Sequence, residues 1–573
     1  MAEYETHEFD VLVIGAGGAG LRAAIEASTL GAQTGLVCKS LLGKAHTVMA
    51  EGGMAAALAN VDKADDWQTH FRDTVLGGKW MGNWRMQQIH AQEAPERVLE
   101  LERWGAVFDR TKKGRISQRA FGGHTHKRLA HVGDRTGLEM IRALQDRGVH
   151  QGIQVFMECT VADLLKDGER ATGALAYWRE TGKFIVFTAR AIVMATGGIG
   201  KMFRVTSNSW EYTADGHAVA LRAGADLVDM EFMQFHPTGM VWPPGVRGIL
   251  VTEAVRGEGG ILRNAAGERF MERYDPQRME LSTRDLVSKA IYTEVKEGRG
   301  TEHGGVWLDI AHKDPETIKK KLPSMYRQFM ELADVDITRA PMEVGPTAHY
   351  IMGGIKVEPE TGASTVPGLY ACGECAGGMH GANRLGGNSL SDLLVFGKRA
   401  GAGAATFAKE NGGAVSFDPA QAQRMEQAVV RPFASKGSHT PYDVHFELQD
   451  LMQEDVGIMR AGADLEKAIA AFPALWEKLR GARVEGSRMY NPGWHLYWDM
   501  ENMLLIAEVV ARAALQREES RGAHTRLDFP TTDTAHWEKV NSNAGYRDGR
   551  VQVGTIPKPE IPAELRTIVE PKK

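Results

Sequence analysis

The residues best placed to do chemistry begin with Gly15-x-Gly17-x-x-Gly20. Glycines at this spacing let a turn close tightly after a strand. They also let backbone N–H groups approach a pyrophosphate at the start of a helix. Two more strand-like runs end in glycine turns, Ala195-Thr196-Gly197-Gly198 and Cys372-Gly373-Glu374. A nicotinamide site usually carries Asp or Glu at the end of the second strand, and here that neighbourhood reads Val37-Cys38-Lys39-Ser40. Three glycine turns without that acid suit a long cofactor such as FAD better than NAD.

These turns need a parallel sheet beneath them. Residues 9–14 form an apolar strand run, 21–30 have helical composition, Gly31 ends that helix, and 35–38 read as a second short strand. Runs at 191–195 and 368–371 supply further buried strands. The fold class expected is α/β: a split Rossmann-like FAD-binding domain (1–231 and 350–418) with an inserted α+β capping domain (232–349). A C-terminal helical domain (419–530) and an irregular C-terminal segment (531–573) would follow. The insertion is rich in His, Arg and Gly, the helical part is periodic over 503–515, and the tail carries Pro and charge.

Composition removes several alternatives. The chain has 573 residues, and 68 Lys+Arg against 73 Asp+Glu give a net charge of −5, which offers no reason to expect nucleic acid. Four scattered cysteines exclude a disulfide scaffold and a self-contained iron–sulfur relay. Cys372-Gly-Glu-Cys375 is followed by Ala376 rather than His, so it is not a c-type haem site. It also lacks a second pair at zinc spacing and reads as a loop, so no metal site is expected. The opening MAEYETHEFD has neither a basic n-region nor an apolar core, so no secretory signal is expected. No stretch of about 18 apolar residues would span a membrane.

Lys44-Ala-His46-Thr47-Val-Met-Ala-Glu-Gly52-Gly53 resembles the covalent-flavin loop of succinate dehydrogenase and fumarate reductase flavoprotein subunits. The resemblance runs from Gly15 to Arg526. It is densest in His380-Gly-Ala-Asn-Arg-Leu-Gly-Gly-Asn-Ser-Leu390 and Glu519-Ser-Arg-Gly-Ala-His524. It implies that His46 bonds covalently to FAD. The implied cofactor contacts are Gly15, Ala16, Gly17, Gly18, Ala19 and Gly20; Lys39, Ser40, Thr47, Gly52 and Gly53; and Ala195, Thr196, Gly197, Asp215, Glu374, Ser389 and Leu390. Glu374 is expected to take the ribose role missing near Lys39.

The substrate that the resemblance implies is a C4 dicarboxylate, which needs a separate donor cluster at each end and a flat seat on the flavin. Arginine suits such clamps because its planar fork matches a carboxylate bidentately. His236 and Thr252 would hold one carboxylate, His349 and Arg384 the other, and Phe121 would pack on the substrate. Ser282-Thr-Arg284-Asp285 resembles the segment that carries the proton-transfer arginine. Arg284 would exchange a proton at one carbon while the flavin exchanges a hydride at its neighbour, and Glu253 and Arg256 would relay the proton. Such an arginine must be poised by neighbouring charges, since its pKa exceeds about 12 in water.

Succinate oxidation and fumarate reduction use the same residues, so both directions remain open. L-aspartate oxidases resemble the chain in the glycine turns and Arg-rich site but normally lack the flavin-linking histidine. A non-catalytic flavin relay would lose some of His236, Thr252, Arg284, His349 and Arg384, and all five are present. The expected partners are an iron–sulfur subunit and a membrane anchor that binds quinone. They would hold the chain peripherally at the cytoplasmic face of a bacterial inner membrane.

Overall fold

The computed structural model describes residues 4–570. Its main sheet starts with the strand Glu5–Ile14, whose last four residues are all buried. That strand lies between two parallel neighbours, Thr34–Val37 and Phe184–Met194. Gln154–Phe156 extends one side. On the other side Phe184–Met194 has two partners. Its first half pairs antiparallel with Arg170–Trp178, which pairs in turn with Cys159–Asp167. Its last three residues pair parallel with Leu369–Ala371. Three strands entering from distant parts of the sequence therefore end side by side, at Ile14, Met194 and Ala371. The open crevice beyond the carboxyl ends of parallel strands is where such sheets bind ligands.

Two helices begin at this edge, Gly18–Thr29 and Asn388–Glu410, and they pack on one another beneath the sheet. Their contact needs small residues. A Cβ at Gly401 would lie 2.2 Å from the Ala23 carbonyl oxygen.

The insertion leaves and returns as paired strands. Met233–Met240 runs antiparallel to Met342–Ile351, and Val306–Asp309 and Ile261–Arg263 complete a four-stranded sheet. The helix Arg284–Lys296 packs on that sheet. The strand Met342–Ile351 runs through the boundary expected at 349/350, because sheet pairing carries the chain back into the FAD-binding part without a break. Helices Pro419–Val430, Pro441–Asp455, Gly462–Gly481 and Pro492–Gln516 follow.

The tail corrects one expectation, since it is not irregular. Val540–Arg547 and Arg550–Pro557 form a hairpin, and Val540–Arg547 also pairs with Leu227–Val228. A helix, Ala563–Val569, then buries Leu565 and Val569 against Phe71 and Val75. The hairpin signal was present as Asp548-Gly549. Both residues adopt positive φ, as a two-residue turn between strands demands. Half-exposed, polar strands hid it, because only one face meets the core. A buried ion cluster fixes this junction: Arg517 bonds Glu231 at 2.5 Å and Glu519 at 3.0 Å.

Candidate active site

A continuous cleft runs from the three strand ends to the inserted sheet, with about 1720 Å³ of empty space counting its open mouth. Its dinucleotide half is mostly backbone. Both helices that start here do so without a side-chain cap, after Gly17 and Gly387. The Gly18 N–H is taken by Thr47 Oγ1 at 3.2 Å and the Asn388 N–H by the Leu385 carbonyl oxygen at 3.3 Å, while the positive dipole ends still favour an anion or a carbonyl. Gly15 has φ +112°, and a Cβ there would lie 2.1 Å from the Ala195 carbonyl oxygen. This glycine-walled cradle fits a dinucleotide such as FAD.

Of the expected cofactor contacts, all but Gly20 line the cleft. Gly20 instead packs the helix on the strand, where a Cβ would lie 1.8 Å from the Gly15 carbonyl oxygen. Its role is close approach of backbone to backbone, not contact with a ligand. Lys39 donates to Asp215 at 3.0 Å, Asp499 at 2.6 Å and Thr213 at 2.7 Å, so its charge is matched within the protein. Glu374 accepts the Ile351 N–H at 3.2 Å. Burial pushes its carboxyl up to about 8, against the pull of that N–H, of Arg384 and of Tyr212.

His46 opens the short turn His46–Met49 at the cleft wall. Its Nδ1 accepts the Ser209 N–H at 3.2 Å, and its ring meets Tyr212 edge-on at 4.6 Å. Burial lowers its pKa to about 4, which keeps the imidazole neutral.

The other half is dense with buried side-chain charge. Arg284, first residue of its helix, donates from Nε to Glu253 Oε2 at 2.9 Å. Glu253 Oε1 accepts the Gly122 N–H at 2.8 Å. Arg256 stands behind Glu253 at 3.7 Å, outside the cleft lining, and donates to the Glu280 carbonyl oxygen at 2.6 Å. Burial alone would raise the Glu253 pKa. Arg284, Arg256 and the Gly122 N–H together outweigh it and hold the carboxylate ionised. The chain Arg284–Glu253–Arg256 leads from the cleft inward, hydrogen-bonded at its first link and paired only by charge at its second.

Arg384 donates to Ser389 Oγ at 2.7 Å and lies over the Tyr350 ring, 4.3 Å from its centre. Its Nε is buried without a partner. Burial and the nearby Arg284 lower its pKa to about 10, so it keeps its charge at neutral pH. His236 and His349 face one another with ring centres 5.2 Å apart. Burial first, then the surrounding arginines, keeps both well below the usual histidine range. Each is therefore a neutral donor or acceptor. Phe121 packs against Gly52 and Gly386 within 3 Å of where their Cβ atoms would be, and Thr252 also lines the cleft. The structure brings all five expected substrate-binding residues to this end.

Residues 10–390 match the FAD binding domain family, and 445–572 match the fumarate reductase flavoprotein C-terminal family. A fumarate reductase (CoM/CoB) subunit from Methanothermobacter marburgensis is 47% identical, over 92% of this chain and 96% of its own. The succinate dehydrogenase flavoprotein subunit of Rickettsia bellii is 38% identical, over 95% and 94%. A solved structure of Mycobacterium smegmatis Sdh1 in complex with UQ1 superposes with TM-score 0.88 at 55% identity, over 97% and 95%. The chain belongs to the succinate dehydrogenase and fumarate reductase flavoprotein subunits. It is accordingly an FAD-binding oxidoreductase, and its relatives are named as subunits of larger assemblies. No helix among the described residues is long and apolar enough to cross a membrane.

The geometry of this flavoprotein also enlists residues without an expected role. Gln234 accepts from Arg284 Nη1 at 3.4 Å and donates to Asn383 Oδ1 at 3.0 Å and the Arg384 carbonyl oxygen at 2.8 Å. It ties the inserted sheet to the Arg384 loop. Arg119 donates to the carbonyl oxygens of Glu51 and Gly52, both at 2.7 Å, and so clamps the His46 loop. Glu51 lines the cleft with Oε2 unpartnered. All three stand in or beside strings that carried the resemblance, but their partners lie far away in sequence.

Proposed function

We propose that this chain is the catalytic flavoprotein subunit of a succinate dehydrogenase, with FAD attached covalently through His46. The observation that carries the reading is the buried Arg284–Glu253 pair at 2.9 Å, in one cleft with Arg384, His236 and His349. The cofactor would be held by Gly15–Ala19 backbone, by the two uncapped helix starts and by Glu374. When bound, FAD supplies hydride acceptance. The chain supplies everything else. Arg384 and His349 bind one carboxylate, and His236 and Thr252 bind the other, leaving the central bond between them. Phe121 closes the pocket against water. Arg284 first cedes a proton to Glu253 and then takes the proton from the carbon next to the one that loses hydride, while Glu253 and Arg256 pass the ceded proton on. The Ser209 N–H donates to His46 Nδ1, and Nε2, with Asn208 Nδ2 3.3 Å away, is the nitrogen for attachment. The 55% identity to Mycobacterium smegmatis Sdh1, a protein that forms a complex with UQ1, favours succinate oxidation. An iron–sulfur subunit and a quinone-binding membrane anchor would take the electrons and hold the chain at the cytoplasmic face of a bacterial membrane.

The reverse reaction, fumarate reduction, is the second reading. The 47% identity to the Methanothermobacter marburgensis fumarate reductase favours it.

The test is reduction of a dye by succinate with the purified flavin-loaded protein. We expect turnover that malonate suppresses, and a denatured band that fluoresces under ultraviolet light except in His46→Ser. No bleaching of the flavin by succinate would overturn the substrate assignment. Fluorescence retained by His46→Ser would overturn the attachment site.

A further inference from the structure

The segment Phe121-Gly-Gly-His124 touches both the Arg284–Glu253 pair and the turn that presents Arg384. On one side the Gly122 N–H bonds Glu253. On the other, a Cβ at Gly123 would lie 2.5 Å from Leu385 Cδ2, and one at Gly386 would lie 2.5 Å from Phe121 Cδ1 and 3.2 Å from Arg284 Nη2. Packing this close sets a distance, and hydrogen bonds set the direction. The Arg384 carbonyl oxygen accepts from Gln234 Nε2 at 2.8 Å. Two residues on, the Gly386 carbonyl oxygen accepts from His124 Nε2, also at 2.8 Å. The tautomer that this second bond needs is set from behind. Arg128 Nη1 lies 3.4 Å from His124 Nδ1 and can only donate, so the ring proton sits on Nε2. Arg128 is itself buried and paired with Asp65 at 2.8 Å and Asp73 at 3.0 Å. Asp73 also accepts the Thr125 N–H at 2.8 Å, which pins the residue after His124. Burial, then Arg128, lowers the His124 pKa to about 4, so the ring stays neutral. His124 does not line the cleft and has no part in the chemistry described above.

We propose that His124 is a positioning residue, whose bond to the Gly386 carbonyl oxygen holds the Arg384 turn at the spacing from Arg284 that a dicarboxylate requires. Without the bond the turn samples other orientations, and substrate binding must restore the right one. Apparent affinity then falls with the fraction of molecules correctly arranged, whereas the saturated enzyme is assembled as before. This inference rests on the proposed role of Arg384 in holding a substrate carboxylate.

The test uses the full-length, flavin-loaded protein with His124→Leu, His124→Asn and His124→Gln. The readouts are kcat and KM for succinate with a dye as acceptor, and the inhibition constant of malonate. Leucine fills the space without a donor, and asparagine is polar but too short to reach the carbonyl. Both should raise KM and the malonate constant together by about fivefold, the scale of one hydrogen bond, with kcat close to wild type. Glutamine reaches the carbonyl with its amide N–H and should restore both constants to near wild type. If His124→Leu yields no folded protein, His124→Asn carries the test. Unchanged constants in the leucine and asparagine variants, a fall in kcat at constant KM, or no rescue by glutamine overturns this proposal alone. A wild type whose flavin succinate does not bleach overturns the substrate assignment, and this inference with it.

Discussion

The two halves of the cleft recognise charge by opposite means. At the dinucleotide end the protein offers backbone: uncapped helix starts and glycines with no room for a side chain. At the acid end it offers buried side chains, three arginines and two neutral histidines around one carboxylate. Backbone donors are fixed by the fold and cannot be titrated. Buried side-chain charges depend on their neighbours and on pH. The first half should therefore fail by steric intrusion, and the second by loss of geometry or a change in protonation.

The largest effect is expected at Arg284. Lysine keeps the charge, but a single ammonium cannot bond Glu253 and Gln234 as the guanidinium does. Arg284→Lys should lower succinate turnover by about 10³-fold, the scale of a lost acid–base group, with bound flavin unchanged. Steady-state rates and the flavin absorbance check this together. Turnover within tenfold of wild type would move the proton transfer to another group and leave Arg284 as an electrostatic support.

The matching lesion at the other end is Gly15→Ala. The added Cβ meets the Ala195 carbonyl oxygen at 2.1 Å, in a backbone conformation that disfavours side chains. Overpacking and strain of roughly 1.5–3 kcal/mol imply at least about tenfold weaker flavin retention. Flavin per chain after dialysis measures it. Flavin-loaded molecules that remain should turn over succinate normally, because the acid end is untouched. Full occupancy would mean that the cradle can relax, contrary to a backbone-defined half.

The same contrast explains what could be read from sequence. The glycine turns were legible because strand, turn and helix are adjacent in the chain and obey spacing rules. The acid end was legible only through strings that resemble a family, since His236, Arg284, His349 and Arg384 come from separate segments. Residues 207–212 carried no signal. They meet His46, more than 160 residues earlier, and His349, more than 140 later, only in the folded chain. Gln234 and Glu51 stood inside family-like strings yet had no legible role, because only the folded chain shows what they face. The tail hairpin differs again: Asp548-Gly549 is a local turn signal, yet the segment reads as irregular because its strands are only half buried.

The smallest effect, and the sharpest separation of the two halves, concerns Glu51. It lines the same cleft as Thr252, with Oε2 buried and unpartnered. Burial pushes its carboxyl up to about 8, and Asp134 adds to the shift against Thr252 and Arg119. The folded protein thus holds a proton that the unfolded chain releases near the ordinary value of about 4.5. Stability contributed by this group falls as pH rises between those values and is level above about 8. In the same upper range a buried carboxylate appears beside the group proposed to hold a substrate acid, and like charges repel. KM for succinate should climb as pH passes 8, reaching roughly tenfold its neutral value one unit higher. Glu51→Gln keeps the shape but cannot ionise, so its KM should stay level over that range. Flavin retention should follow one pH profile in both proteins, because the carboxyl that titrates at that end is Glu374, pushed up to about 8, and not Glu51. Coincident KM profiles for the two proteins would assign the alkaline limb to another group, with Arg384, lowered to about 10, the next to examine.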